Sequence, residues 1–197
     1  MSEEPRLLVA LSSAFENKSL FNEKMTTLTS ALEGFSVIAV NDLHCLAQNL
    51  FGGTLTNSVG RSMHLREKRQ LLKSVQMAAF FWDGTDIDDF IYLASLYRLP
   101  ARIIAVETTR TVNKERGDEF DIYIGRGTPW GNPFAIGDNG ADRAAVLQMF
   151  EDYFQKKYVD DAQGSRDILS LKGKVLGCHC KPLPCHGDII ARYLNSI

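Results

Sequence analysis

The chain reads as α/β: a Rossmann-like parallel sheet with helices on both faces, followed by a small second α/β unit. Three observations predict this. Short apolar runs of strand length alternate with helix-period segments up to about residue 108, and parallel neighbours require such crossovers. Thr108 to Asp118 is charged and patternless, which marks a linker. A second, shorter series of strand and helix signals begins near Glu119. The expected domains are 1–108 and 119–197.

Taken in order, Leu7 to Leu11 is a strand, and Leu20, Phe21, Met25, Leu28 and Leu32 give a helix stopped by Gly34. Phe35 to Val40 is a second strand, Asp42 to Leu50 a short helix, and Phe51 to Gly60 a loop by its Gly, Thr and Asn content. Arg61 to Val75 is an exposed helix, Met77 to Trp82 a buried strand, Asp86 to Tyr97 a helix and Ala101 to Val106 a closing strand. Ligands of such sheets bind beyond the carboxyl ends of the strands, marked here by Ser12, Asn41 and Asp83. In the second unit Phe120 to Ile124 is a strand. Ala141 to Tyr158 is an amphipathic helix with Val146, Met149, Phe150, Tyr153, Phe154 and Tyr158 on its apolar face, capped by Asp138 or Asn139, with Asp142 in its first turn. Lys174 to Cys180 is a strand and His186 to Leu194 the terminal helix.

Lys and Arg number 22 against 24 Asp and Glu, a net charge of -2, so no global basic field holds nucleic acid. The polar N-terminus carries no secretory signal, and no apolar run reaches the roughly 20 residues that span a bilayer. A cytoplasmic protein is expected, with no membrane partner and with reduced thiols.

Chemistry concentrates in Cys178-His179-Cys180-Lys181-Pro182-Leu183-Pro184-Cys185-His186-Gly187-Asp188. On a strand Cys178 and Cys180 share a face and His179 takes the other. A helix beginning after the prolines puts Cys185 near its N-terminus, where unpaired amides favour a thiolate. Cys178, Cys180, Cys185 and His186 are also four ligands of the kinds that hold zinc. Zinc, a reactive or anion-binding thiol cluster, and buried inert cysteines are the three readings of this segment. Asp188 is either a dipole partner of the helix or a base beside His186. Upstream, Gly125-Arg126-Gly127-Thr128 follows a strand, and its guanidinium and backbone amides suit a phosphate. Trp130 and Asn132 suit a stacked base and its polar edge, or Trp130 and Phe134 plug the core.

Residues 121–192 resemble a phage and bacterial family known as a domain of unknown function, whose members share R-G-[ST]-x-W-G-N-P-F and C-x-C followed by C-H-G-D. Here these run from Arg126 to Phe134 and from Cys178 to Asp188. That resemblance supplies no activity. The first unit resembles the SLOG superfamily of Rossmann-like nucleotide-binding domains through Phe81-Trp82-Asp83-Gly84, which implies that Asp83 and Gly84 line a ligand pocket. It departs from that superfamily where Asn41-Asp42-Leu43-His44-Cys45 replaces a glycine-rich phosphate segment.

The expected function is an enzyme, hydrolase or transferase, acting on a glycosidic or phosphate bond of a nucleotide, nucleoside or nucleotide-derived small molecule. Arg126, Gly127, Thr128, Trp130 and Asn132 would bind, and Cys185, His186 and Asp188 would supply nucleophile and acid or base. The alternative is a non-catalytic module: a nucleotide sensor with a structural zinc or thiol clip, docking protein or nucleic acid, or a phage protein aimed at a host factor.

Overall fold

A computed structural model describes residues 4–137 and 140–197. The chain divides into two compact units, Met1–Val106 and Glu107–Ile197.

The first unit is a five-stranded, wholly parallel sheet in the order β3-β2-β1-β4-β5, built from β1 (Arg6–Leu11), β2 (Ser36–Val40), β3 (Leu55–Val59), β4 (Met77–Trp82) and β5 (Ala101–Ala105). This is the strand order of a doubly wound α/β sheet without its sixth strand. Alternation along β1 assigns its two faces. Leu7, Val9 and Leu11 pack with Phe21 and Met25 of α1 (Lys18–Thr29) and with Leu46 and Ala47 of α2 (Leu46–Phe51). Leu8 and Ala10 pack with Leu72 of α3 (Leu65–Lys73) and Phe90 and Leu93 of α4 (Asp88–Leu96). Helices therefore cover both faces, as the central apolar runs predict. The expected loop over 51–60 is instead the end of α2, a 3-10 turn and strand β3. As a partly exposed edge strand, β3 needs no apolar run.

The second unit holds a three-stranded parallel sheet in the order β6-β8-β7: β6 (Arg110–Asn113), β7 (Ile122–Tyr123) and β8 (Val175–Cys178). The expected linker is thus an integral strand, β6, followed by a 3-10 turn over Lys114–Arg116. Helix α5 (Arg143–Phe154) runs on into a π turn, Gln155–Val159, with α6 (Ala162–Ile168) after it and α7 (His186–Ser196) closing the chain. Asp142 is the N-cap of α5, its carboxylate accepting the Ala145 amide at 2.8 Å. The other expected caps, Asp138 and Asn139, lie outside the described residues. Phe150, Phe154 and Tyr158 join Ile124, Leu176, Cys178, Cys185, Ile190 and Leu194 in one core, while Met149, expected on the same face, is exposed. Among the described residues no helix is long and apolar enough to cross a membrane.

Candidate functional site

Strands β7 and β8 end side by side, and the loops leaving their ends build one site. Ile124 donates its amide to Gly177 O at 2.9 Å, after which the chain turns through Gly125-Arg126-Gly127-Thr128. The turn is held by the Thr128 amide and hydroxyl, which donate to Gly125 O at 3.2 and 2.8 Å. Gly131 then lies so close that a Cβ there would stand 2.6 Å from Gly125 O, locking the Trp-Gly-Asn-Pro-Phe segment onto the Arg-Gly turn. Asn132 closes the next bend: its side-chain oxygen accepts the Phe134 amide at 2.9 Å.

On the β8 side the strand stops at Cys178, so the alternation expected through Cys180 does not operate and His179 does not turn away. Cys178, His179 and Cys180 all line a cavity of about 300 Å³, together with Cys185, His186, Arg126 and Asn132. Phe134, Val146 and Leu147 supply its apolar wall. The cysteine segment and the arginine segment therefore meet at one cavity.

The sulfurs of Cys178 and Cys185 are 3.5 Å apart and buried. Cys178 Sγ also accepts the Cys180 amide at 3.4 Å. The thiol of Cys185 hydrogen-bonded to it, with the Lys181 and Cys180 amides, lowers the Cys178 thiol to about 6 against the pull of burial. Cys185 moves up, held as the thiol partner and buried. The pair thus releases one proton, from Cys178. Sequence reasoning assigned the thiolate to Cys185 as helix cap. It is indeed the N-cap of α7, but its sulfur serves as donor to an anion stabilised elsewhere.

His186, in the first turn of α7, has Nε2 at 2.8 Å from Ile124 O. A carbonyl only accepts, so Nε2 carries the proton, as inferred from this partner. Burial lowers the pKa of His186, with the Arg126 charge adding to it, and keeps the ring neutral. Among the described residues no three His, Cys, Asp or Glu side chains are grouped to hold a metal ion, and His186 of the expected set spends Nε2 on backbone. Asp188 takes the bland role: its carboxylate accepts the Cys185 amide at 3.0 Å and pairs with Lys181 at 2.5 Å. It does not line the cavity.

Trp130 is absent from the lining as well. Its ring packs on Tyr158 with centroids 5.7 Å apart and lies partly buried against the core, which is the second of the two roles its sequence offers. Gly127 and Thr128 shape the turn from outside the lining. Asp83 and Gly84 belong to the first unit, where the Asp83 carboxylate accepts the Thr85 amide and hydroxyl at 3.1 and 2.7 Å. Nearby, the Ser13 hydroxyl donates to Asp86 at 2.6 Å and the Asn41 amide donates to Leu11 O at 2.8 Å, so these strand ends bind one another.

Three polar residues of the lining were not assigned to the site from the sequence: Tyr123, His179 and Arg143. Arg143 is the first residue of α5 and donates to Pro184 O at 3.2 Å. A cation at the positive end of a helix dipole is unfavourable, by about 0.3–1 kcal/mol, and that anomaly was a readable signal. With Arg126 it gives the cavity two guanidinium groups and, on the described residues, one buried thiolate.

Residues 106–196 match the family described as Domain of unknown function (DUF4326). The chain is similar to the uncharacterized 12.4 kDa protein in the nrdA-td intergenic region of Enterobacteria phage T4, 41% identical over 88 residues, which is 45% of this chain and 79% of that protein. No solved structure matches the chain.

Proposed function

The chain belongs to this family of unknown function, and from that premise we propose that its second unit is an enzyme that binds an anionic nucleotide or nucleotide-derived molecule and cleaves or transfers it at a glycosidic or phosphate bond. One observation carries the reading: the Arg126 guanidinium and the Cys178–Cys185 pair line the same cavity. A volume of about 300 Å³ lies at the lower end of small-molecule sites, which suits a ligand of mononucleotide size.

Arg126 and Arg143 hold the phosphate and Phe134, Val146 and Leu147 shelter the apolar body. Cys178 is the nucleophile. Its sulfur bonds to the electrophilic carbon or phosphorus while the bond to the leaving group breaks, the electron pair departing on that group. Water or an acceptor hydroxyl then displaces the sulfur, loses its proton to a base in the cavity, and leaves Cys178 a thiolate again. Neutral His186 orients rather than charges the site, through Ile124 O. The resemblance of the first unit to SLOG domains supports a second, separate nucleotide contact there only by analogy.

The test is a panel of nucleosides and nucleoside mono- and diphosphates, followed by thermal shift and calorimetry. Mononucleotides should raise Tm, and Arg126→Gln should weaken them about tenfold or more, the loss expected for a charge-assisted contact. Absence of binding by wild type, or equal binding by Arg126→Gln, removes the proposal. Metal analysis of the purified protein belongs beside it. Stoichiometric zinc with thiols that resist alkylation would replace the nucleophile with a structural clip.

A further inference from the structure

A second chemical group faces the cavity, apart from the sulfurs. The Tyr123 hydroxyl lies 2.6 Å from His179 Nε2, and His179 Nδ1 lies 2.8 Å from Glu115 Oε1. Tyr123 and His179 both line the cavity. The three residues come from separate places: the 3-10 turn after β6, the end of β7 and the bend after β8. Two further features fit the hydroxyl to this position. Gly125 leaves room for it, since a Cβ there would stand 1.9 Å from the Tyr123 oxygen. The Lys114 ammonium sits 4.6 Å over the Tyr123 ring, a cation–π contact that helps hold the ring in place. An ordinary structural tyrosine needs neither a carboxylate-oriented imidazole nor a vacant Cα beneath its hydroxyl.

We propose that Tyr123 is the acid and base of this cavity, with His179 as its proton partner and Glu115 as the positioning residue that fixes the imidazole. This rests on reading the cavity as an active site. Glu115 accepts from Nδ1, so Nε2 is the nitrogen that exchanges a proton with the phenol. As the leaving group departs, the Tyr123 hydroxyl proton passes to the leaving atom and the Nε2 proton of the imidazolium passes to the tyrosine oxygen. When the acceptor hydroxyl or water attacks, its proton passes to the tyrosine oxygen and the hydroxyl proton returns to Nε2. Both steps balance and restore the starting state. The substrate class narrows accordingly to one whose leaving atom is an oxygen or nitrogen that must be protonated, as a nucleobase or alkoxide is.

Benzenesulfonyl fluoride tests the relay without knowledge of the substrate. Neutral His179 takes the hydroxyl proton, the tyrosine oxygen bonds to sulfur, and fluoride leaves with the electron pair of the S–F bond. Mass spectrometry of peptides from the full chain tracks labelling of Tyr123 against Tyr92, whose ring is exposed and serves as internal control. Tyr123 should label at least about tenfold faster than Tyr92, within the range positioned bases deliver. His179→Gln should bring it to the Tyr92 rate and abolish the acid-side fall in the pH profile, leaving only the rise that any phenol shows as it ionises. Glu115→Gln should slow it severalfold, and Gly125→Ala should suppress it by displacing the hydroxyl. His179 and Glu115 are exposed enough at 47% and 61% of their side chains for these variants to fold. Equal labelling of Tyr123 and Tyr92, or a rate and pH profile unchanged in His179→Gln, overturns the relay. AMP in the reaction separates the two ideas: His179-dependent labelling that mononucleotides never slow leaves the relay standing and removes the nucleotide, while mononucleotide binding without fast labelling does the reverse.

Discussion

At the scale of single residues, the sulfur pair decides what the cavity can attack. Cys178 and Cys185 share one proton because a thiol 3.5 Å from a second sulfur is a better donor to an anion than to a neutral group. The anion stays on Cys178, where the Cys180 and Lys181 amides add to the donation. With Cys178 at about 6, its thiolate is present above that pH and lost below it. Iodoacetamide alkylation of the Cys178 peptide should therefore rise through pH 6 and level off near neutrality. Cys185→Ala removes the largest stabilising contact, so the midpoint moves up and the rate at pH 7 drops on the order of tenfold. A profile centred in the range of a free thiol in wild type would leave the cavity without a nucleophile. His186 works on the opposite side of the balance, since burial keeps it neutral and its Nε2–H stays donated to Ile124 O.

At the scale of elements, two halves of the loop after β7 are pressed together by backbone contact instead of by side chains. Gly131 is where this is tightest, because the atom a Cβ would meet at 2.6 Å is the carbonyl of Gly125, which cannot swing away as a side chain can. Gly131→Ala should cost about 1–3 kcal/mol, the usual penalty for forced overpacking, read as a lower urea midpoint at unchanged slope. It should also part the Arg126 turn from the Trp-Gly-Asn-Pro-Phe segment and weaken ligand binding more than stability alone explains. A variant as stable as wild type would mean that the two halves of this loop do not hold each other. This contact was invisible in the sequence, where the glycines read as generic turns. The legible elements were those whose composition reflects burial: β1, β2 and β4 are apolar runs because both faces of the sheet are covered. Strands β3 and β6 carry no such run because both are edge strands. The cysteine and arginine segments announced themselves by residue type. Tyr123, His179 and Arg143 did not, because their importance lies in where β7 and β8 end and α5 begins.

At the scale of the whole chain, the candidate chemistry belongs to one unit. Every residue lining the cavity lies between Tyr123 and His186, inside the unit Glu107–Ile197, and the family match spans 106–196. That unit has its own core, from Ile124 to Leu194. Its two ends are also tied to each other: the Thr109 amide donates to the Asn195 side-chain oxygen at 2.6 Å, and the Asn195 amide donates to Thr109 O at 2.9 Å. A chain segment whose first strand and last helix are joined by paired, buried hydrogen bonds loses little when the preceding residues are removed. Residues 105–197 expressed alone should therefore melt in a single cooperative transition and reproduce the alkylation profile of Cys178. Asn195→Ala in that fragment should cost about 1–3 kcal/mol by leaving the buried Thr109 amide and carbonyl unpaired. A fragment that shows helical circular dichroism but no cooperative melt would mean that the first unit completes the second. A folded fragment with an unreactive Cys178 would mean instead that the first unit shapes the cavity, and the division of fold from chemistry drawn at Val106 would fail.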